Sequence, residues 1–174
     1  MERLFLVGYM GCGKSTLARK AARRLGTAAA GTDAAVERRE GASVSDIFRY
    51  EGEERFREIE REVLDALVAD GCPVISTGGG LPTWRDNMER MNRAGLTVYL
   101  RRSAESIARR LSPYGRRKRP RLQGLSDEEL VGFMERDMAA REPFYARARV
   151  TIDCDAMTDD EVVERLIGQL RMKD

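Results

Sequence analysis

The segment Gly8-Tyr9-Met10-Gly11-Cys12-Gly13-Lys14-Ser15 decides the fold, because it matches the pattern G-x-x-x-x-G-K-[ST]. An apolar run over residues 4–7 precedes it, and a helical pattern begins at Lys14. A strand, a glycine-rich loop and a helix in this order are typical of a phosphate-binding loop, whereas an accidental glycine-rich turn would not need both flanks. We therefore predict that this segment binds a nucleoside triphosphate.

Each part of the loop has a physical task. Glycines allow backbone angles that let consecutive N–H groups face phosphate oxygens, and the following helix offers its positive N-terminal end to the same anion. We expect Lys14 to reach the β- and γ-phosphates of ATP and the Ser15 hydroxyl to bind Mg²⁺. Thr16 is expected to face the nucleotide and not to be a second metal ligand. The remaining ATP-binding residues predicted here are Gly11, Cys12 and Gly13.

Outward from the loop, short apolar runs alternate with longer amphipathic ones. The predicted strands cover residues 4–7, 28–30, 74–77, 97–100 and 150–153. One predicted helix begins at Lys14, and two others cover residues 53–69 and 103–111. A capping box at Ser126/Glu129 predicts a helix that runs through Arg141, and a second at Thr158/Glu161 opens the last helix. This alternation predicts an α/β fold of three α/β/α layers around a parallel sheet, with ligands at the carboxyl ends of the strands.

Composition narrows the class of protein. A chain of 174 residues predicts a single domain, and a net charge of +2 gives no whole-protein case for nucleic acid binding. The sequence lacks an apolar run of the ~18 residues needed to span a membrane, and its first residues lack the pattern of a signal peptide. Three widely spaced cysteines argue against a disulfide framework or a zinc site and favour the cytoplasm. Without histidine, His-based triads and metal sites are excluded.

The phosphate acceptor has to be inferred from other residues. Asp33 follows the predicted second strand, where it either accepts hydrogen bonds from a hydroxyl-bearing substrate or caps a helix over 34–40. Arg57 and Glu60 lie one helical turn apart, so an Arg57 held by Glu60 can grip a substrate carboxylate. This helix is so highly charged that, taken alone, a solvated face is the simpler interpretation.

Two further segments carry alternatives. The strand over 74–77 runs into three glycines at 78–80, which indicate either close approach of the backbone to a ligand or a flexible turn. Ser76 stands where many nucleotide-hydrolysing proteins place a metal-binding Asp. Residues 116–121 include five basic side chains. Their position after the fourth strand favours an ATP lid over a solvated or nucleic-acid-binding patch.

The motifs GYMGCGKS, GTD, FREIE, STGGG, RPRLQG and REPFY follow the order and spacing of bacterial shikimate kinases, and the resemblance runs from Leu4 to about Asp155. It implies a fold like that of nucleoside monophosphate kinases, with five strands in the order 2-3-1-4-5. It also implies transfer of the ATP γ-phosphoryl group to the 3-hydroxyl of shikimate in aromatic amino-acid biosynthesis. One domain over 1–174 would contain a substrate-binding region at about 32–61 and a mobile lid at about 112–124.

The resemblance also implies the roles of individual residues. Asp33 would hold the shikimate hydroxyls, and Arg57 and Arg141 would grip its carboxylate. Backbone donors would come from the turn formed by Gly78, Gly79 and Gly80. Arg110 would lie near the adenine, and Arg119 would be the lid arginine that reaches the phosphates. The catalytic set is then Lys14, Asp33 and Arg119.

One position departs from the family pattern. Shikimate kinases usually have Asp-x-Asp after the second strand, but this chain reads Gly31-Thr32-Asp33. We expect weaker Mg²⁺ dependence or lower activity, with the metal resting on Ser15, phosphates and waters and with Ser76 meeting it through water. The alternatives are a gluconate kinase, a weakly catalytic regulatory module and a basic nucleic-acid-binding protein. The charged surface favours a monomer.

Overall fold

The sheet of this protein is parallel throughout. A computed structural model describes residues 1–111, 115–116 and 122–172. Within these residues the strands are β1 Leu4–Val7, β2 Ala29–Gly31, β3 Val74–Ser76, β4 Leu96–Arg101 and β5 Val150–Asp153. They pair in parallel in the order β2-β3-β1-β4-β5, with helices packed around the sheet. The predicted fold class and strand order are confirmed.

The helices follow the predicted pattern with two additions. Their bounds are α1 Lys14–Arg24, α2 Thr32–Glu40, α3 Val44–Ala69, α4 Asn87–Ala94, α5 Ala104–Arg110, α6 Asp127–Tyr145 and α7 Asp159–Arg171, and a 3-10 turn covers Leu81–Thr83. Gly52, at a φ of 86°, breaks α3, and the predicted helix over 53–69 is the part that follows this break. The part before the break and α4 were not predicted, because periodicity is weak over so few residues.

Capping residues set the start of several helices. The capping boxes at Ser126/Glu129 and Thr158/Glu161 are both formed, as predicted. The predicted end of α6 at Arg141 is wrong, since the helix continues through Pro143 to Tyr145. Proline removes the hydrogen bond to the carbonyl of Ala139, and Ala139 is exposed, so water can satisfy that oxygen.

The alternative role of Asp33 as a helix cap is also wrong. Helix α2 begins at Thr32 after Gly31, and no side chain caps its first turn. Asp33 therefore lies within that first turn, where a carboxylate is favoured by the positive end of the helix.

The apolar side chains form two separate cores. The larger core surrounds β1, whose residues Leu4–Val7 are all fully buried, and it also includes buried residues of β3, β4 and β5. The smaller core lies between α2 and α3 and consists of Ala35, Val36, Ile47, Phe56, Ile59 and Val63. The region predicted to bind the acceptor thus has a hydrophobic core of its own.

The strand register brings the ends of three strands to one edge of the sheet. Ser76 pairs with Leu6 on one side and with Gly31 on the other. The loop after β1, the start of α2 and the glycines after β3 therefore lie side by side. No helix in the described ranges is long and apolar enough to cross a membrane. All three cysteines are free thiols.

Candidate active site

The phosphate-binding loop depends on glycine at two positions in particular. Gly11 and Gly13 have φ values of 77° and 99°, which strain any residue with a side chain. Helix α5 also covers them: a Cβ would lie 3.1 Å from Ile107 at Gly11 and 3.3 Å from the Arg110 guanidinium at Gly13. The loop is therefore shaped by its own backbone and closed on one side by α5.

Lys14 is held inside the loop. Its ammonium group donates to the carbonyl oxygens of Gly8 at 2.7 Å and Tyr9 at 2.8 Å, and it lies 3.8 Å from Cys12 Sγ. The side chain is buried, while the neighbouring Ser15 and Thr16 are exposed. Lys14 thus lies inside the loop, and its contact with phosphate oxygens stays a prediction.

A buried arginine that we did not predict fixes the loop from below. Arg102 directly follows β4 and is 3% exposed. Its Nε donates to the carbonyl of Cys12 at 3.0 Å, and its Nη1 donates to the carbonyl of Cys154 at 2.8 Å. This one side chain ties the phosphate-binding loop to the end of β5.

Asp159, the first residue of α7, is a common partner for cations around the loop. Its carboxylate lies 3.6 Å from Arg102 Nη2, 3.2 Å from Arg110 Nη2 and 3.7 Å from Lys20. Arg110 therefore has a carboxylate partner at the rim of the loop, beside Gly13. The predicted place of Arg110 near a nucleotide base stays a prediction.

The predicted metal ligands are few. Ser15 offers an exposed hydroxyl at the start of α1. Gly31 brings no carboxylate, and a Cβ there would lie 3.2 Å from Ser76 Oγ, itself largely buried. Among the residues that the structure describes, no group of three or more acidic or cysteine side chains could hold a metal ion. Such a set still fits Mg²⁺ brought in with ATP, because Mg²⁺ commonly keeps several waters and binds substrate phosphates.

Two carboxylates meet above Gly78. A Cβ on Gly78 would overlap Glu60 Oε1 and would lie only 2.6 Å from Asp33 Oδ1. Burial raises the pKa of the Glu60 carboxyl to about 7; the Arg57 guanidinium opposes this rise and the charge of Asp33 adds to it. The Gly78 N–H donates to Thr32 Oγ1 at 2.8 Å. That N–H therefore already has a partner. The missing side chain at Gly78 leaves room for the carboxylates of Glu60 and Asp33.

Arg57 belongs to the site and not to a solvated surface. Its side chain is 12% exposed, and its Nη1 lies 2.6 Å from Glu60 Oε2. A Cβ on Gly80 would overlap its guanidinium group. The guanidinium also lies 5.7 Å from the ring centre of Phe48 and 5.2 Å from that of Phe56. The interpretation of this helix as a solvated face is wrong at Arg57 and Glu60.

Arg141 reaches the same place from α6. A Cβ on Gly79 would lie 3.4 Å from Arg141 Nη1 and 3.3 Å from the backbone nitrogen of Met10. Arg141 Nη2 lies 3.5 Å from Asp137, which also accepts a 2.7 Å hydrogen bond from Tyr9. Only the backbone at Gly79 thus lies between the phosphate-binding loop and the guanidinium group of Arg141 at this point.

Tyr145 holds the glycine turn from behind. Its hydroxyl donates to the carbonyl of Gly79 at 2.6 Å, and burial raises its pKa to about 12. The hydroxyl therefore stays protonated at neutral pH. Within the described part of the chain, the N–H groups of Gly79 and Gly80 donate no hydrogen bond to the protein. Their role as donors to a ligand stays a prediction.

Most of the predicted site residues are brought together at this edge of the sheet. Arg119 is the exception, since it lies outside the described residues, as do most residues of the predicted lid. Arg102 and Tyr145 were not predicted as site residues. No motif marks Arg102, although an arginine directly after a buried strand is an unusual place for a charge. Tyr145 ends the motif REPFY, but no role was assigned to it.

Comparison with known proteins assigns the family. The family described as Shikimate kinase matches residues 10–171. This chain belongs to the shikimate kinase family. A shikimate kinase of Parabacteroides distasonis is 43% identical over 170 residues, which cover 98% of each chain.

Solved shikimate kinases share the structure as well. The crystal structure of the shikimate kinase from Bacteroides thetaiotaomicron has a TM-score of 0.87 at 39% identity, covering 98% of this chain and 97% of the other. The shikimate kinase from Acinetobacter baumannii, solved in complex with shikimate, also has a TM-score of 0.87, at 31% identity, covering 100% of this chain and 95% of the other. Membership of the shikimate kinase family therefore rests on both sequence and fold.

Proposed function

We propose that this chain transfers the γ-phosphoryl group of ATP to the 3-hydroxyl of shikimate, giving shikimate 3-phosphate and ADP in the pathway to chorismate and the aromatic amino acids. The observation that carries this proposal is the placement of Arg57, Arg141 and Asp33 beside the phosphate-binding loop. A carboxylate that bears hydroxyl groups needs cations at one end and acceptors at the other, and these three residues supply both.

Substrate binding uses the groups around the three glycines. The carboxylate of shikimate is gripped by the guanidinium groups of Arg57 and Arg141, which stand against Gly80 and Gly79. The free N–H groups of Gly79 and Gly80 donate to the same ligand, and Asp33 accepts hydrogen bonds from its hydroxyls. Gly78 contributes by its lack of a side chain and not as a donor, because its N–H is bound to Thr32.

Catalysis rests on position and charge. Phosphoryl transfer passes through a loose transition state, so alignment and charge neutralisation count for more than a strong base. The 3-hydroxyl oxygen attacks the γ-phosphorus, the bond from that phosphorus to the ADP oxygen breaks, and Asp33 takes the hydroxyl proton. Lys14 turns from the loop carbonyls to the phosphate oxygens. Arg119, from the lid over about 112–124, adds a second positive charge beside the phosphates, and the lid helps to exclude water.

Mg²⁺ accompanies ATP in this proposal. The Ser15 hydroxyl would hold it, and Ser76 would meet it through water, because Gly31 supplies no carboxylate. When bound, the ion neutralises charge on the β- and γ-phosphates.

The remaining proposals concern the whole chain. We propose one domain over 1–174, a monomer, with a substrate-binding region at about 32–61 whose separate core lies between α2 and α3. Light scattering of the purified protein tests the monomer.

The reaction is tested by coupled release of ADP with shikimate, with gluconate and without an acceptor. We expect turnover with shikimate alone. Asp33→Asn should reduce turnover at least a hundredfold and leave ATP binding near the wild-type level, whereas Asp70→Asn, at an exposed helix end, should change neither. Turnover with gluconate, or ATP binding without any turnover, would contradict the proposal. Full activity of Asp33→Asn would remove Asp33 from the mechanism.

A further inference from the structure

Glu60 is a buried carboxylate with one oxygen unsatisfied. The residue is 1% exposed. Its Oε2 lies 2.6 Å from Arg57 Nη1, but within the described part of the chain its Oε1 has no hydrogen-bond partner. A buried oxygen without a partner costs free energy as an anion, and it becomes a donor if it carries a proton. The structure therefore poses the question of what Oε1 faces.

The oxygen faces Asp33. A Cβ on Gly78 would overlap both Glu60 Oε1 and Asp33 Oδ1, so the two oxygens border the same small space, and one water or a direct hydrogen bond can join the two carboxyls. Three charged groups act on Glu60: Arg57 from its own helix and Arg141 from α6 favour its ionised form, and Asp33 from α2 opposes it. Burial is the largest influence on the pKa of Glu60, and any loss of positive charge from Arg57 and Arg141 acts in the same direction, toward the neutral carboxyl.

We propose that binding of the shikimate carboxylate at Arg57 and Arg141 is coupled to uptake of a proton by Glu60 at Oε1. This inference rests on the proposed function and deepens it. The substrate brings a second negative charge to the two cations that stabilise ionised Glu60 and removes water from the site. Both effects favour the neutral carboxyl, which takes its proton from solvent and returns it when the product leaves.

The proton taken up by Glu60 allows a hydrogen bond to Asp33. Neutral Glu60 donates across the gap above Gly78 to the Asp33 carboxylate. The negative charge of the pair then resides on Asp33, which faces the substrate hydroxyl in the proposed function. Glu60 acts through Asp33 and Arg57, so it is a positioning residue.

The pH dependence follows from the burial of Glu60. Burial raises the pKa of this carboxyl to about 7, so the carboxyl is already protonated well below pH 7 and is mostly ionised above it. Substrate binding below that range needs no new proton at Glu60. Above it, the dissociation constant of shikimate should rise by up to about tenfold per pH unit, because each unit leaves tenfold fewer sites protonated.

Titration calorimetry tests the coupling. Shikimate is titrated into the full chain at pH 8.0 in phosphate and in Tris, two buffers with different heats of ionisation, and the heat difference gives the protons exchanged. We expect uptake of about one proton per site at pH 8.0 and close to none at pH 5.5. Glu60→Gln should abolish the uptake and flatten the pH dependence of shikimate affinity between pH 6 and 8.5.

Glu58→Gln is the matched control. It removes a carboxyl from the same helix that is 41% exposed and pairs with Arg55, and it should leave the uptake unchanged. Shikimate binding at pH 8.0 without proton uptake in the wild type, or equal uptake in Glu60→Gln, would overturn this inference alone. A wild-type chain that does not bind shikimate at all would overturn the proposed function. If Glu60→Gln does not fold, the number of protons taken up by the wild type at pH 5.5 and at pH 8.0 still tests the inference, because equal values at the two pH values would contradict it.

Discussion

The guanidinium group of Arg57 occupies the space into which a side chain at position 80 would project. The glycine is therefore required by the arginine across from it, and not by backbone conformation, since Gly80 has a φ of −91°, which any residue adopts. Arg57 and Gly80 form one unit on the acceptor side of the site.

Gly80→Ala should displace Arg57 from the position in which it meets both Glu60 and the substrate carboxylate. We expect the KM for shikimate to rise roughly ten- to a hundredfold, because a bidentate charged contact is lost, while the KM for ATP changes little. Steady-state kinetics with each substrate varied in turn measures this. Gly168→Ala, in open space on α7, is the control and should leave both constants unchanged. An equal rise of both KM values in Gly80→Ala would mean that the whole edge of the sheet has shifted.

Arg102→Met should weaken the phosphate-binding loop from below. The change leaves the carbonyls of Cys12 and Cys154 without their donor and removes a buried charge from Asp159. We expect a loss of about 3 kcal/mol in the free energy of unfolding and a KM for ATP raised about tenfold or more. Urea unfolding and ATP-dependent kinetics are the measurements.

The neighbouring Arg101 provides the control for Arg102. Its side chain is 51% exposed and pairs with Asp153 at the surface. Arg101→Met should change the free energy of unfolding by no more than about 0.5 kcal/mol. If the two variants behave alike, the hydrogen bonds of Arg102 to the loop do not matter for nucleotide binding.

Gly31→Asp should restore a carboxylate beside Ser76. Gly31 has a φ of −109°, so a side chain causes no backbone strain there, and its Cβ would meet only Ser76. We expect half-maximal activity at a lower Mg²⁺ concentration, because a carboxylate adds a charged oxygen near the ion. A Mg²⁺ titration at fixed ATP measures it, with Gly31→Asn as the control of equal size. No gain over Gly31→Asn would show that the missing carboxylate is irrelevant.

Glu60→Gln should change how stability depends on pH. The pKa of Glu60 rises from its ordinary value of 4.5 to about 7 on folding, mainly because the carboxyl is buried. Between these values the folded chain binds more protons than the unfolded chain, so this group lowers stability as pH increases. The loss amounts to about 3 kcal/mol by pH 7.

The measurement is chemical unfolding of both proteins from pH 4.5 to 8. The stability of Glu60→Gln relative to the wild type should improve as pH rises through this range and level off above pH 7. A constant difference between the two proteins would mean that Glu60 ionises with the same pKa in the folded and the unfolded chain.

The alternation of apolar and amphipathic runs predicted a parallel sheet, and the family resemblance supplied its strand order. Even β2, with its poor alanine composition, was located from its position in the alternating pattern, within one residue of Ala29–Gly31. The segments that escaped prediction are α4 and the part of α3 before Gly52. Both are short, and helices of this length are marginal without tertiary packing.

At the site, the motifs identified the residues proposed to bind the ligands but not the residues that position them. Arg57 and Asp33 stood in recognisable patterns, whereas Arg102 acts through carbonyls of Cys12 and Cys154, which are far apart in sequence. The charge state of Glu60 was equally hidden. It depends on burial and on Asp33, and neither quantity can be obtained from the spacing of residues along α3.

The hydrogen bonds of Lys14 to Gly8 and Tyr9 have a consequence for how tightly a nucleotide binds. The ammonium group has already left water, so the desolvation of this cation was completed when the chain folded. A phosphate that arrives exchanges one set of oxygen partners for another. The contribution of Lys14 to nucleotide affinity is therefore the difference between phosphate and peptide carbonyl as partners of the same ammonium group, and an inhibitor that keeps those two carbonyl contacts intact would avoid this competition.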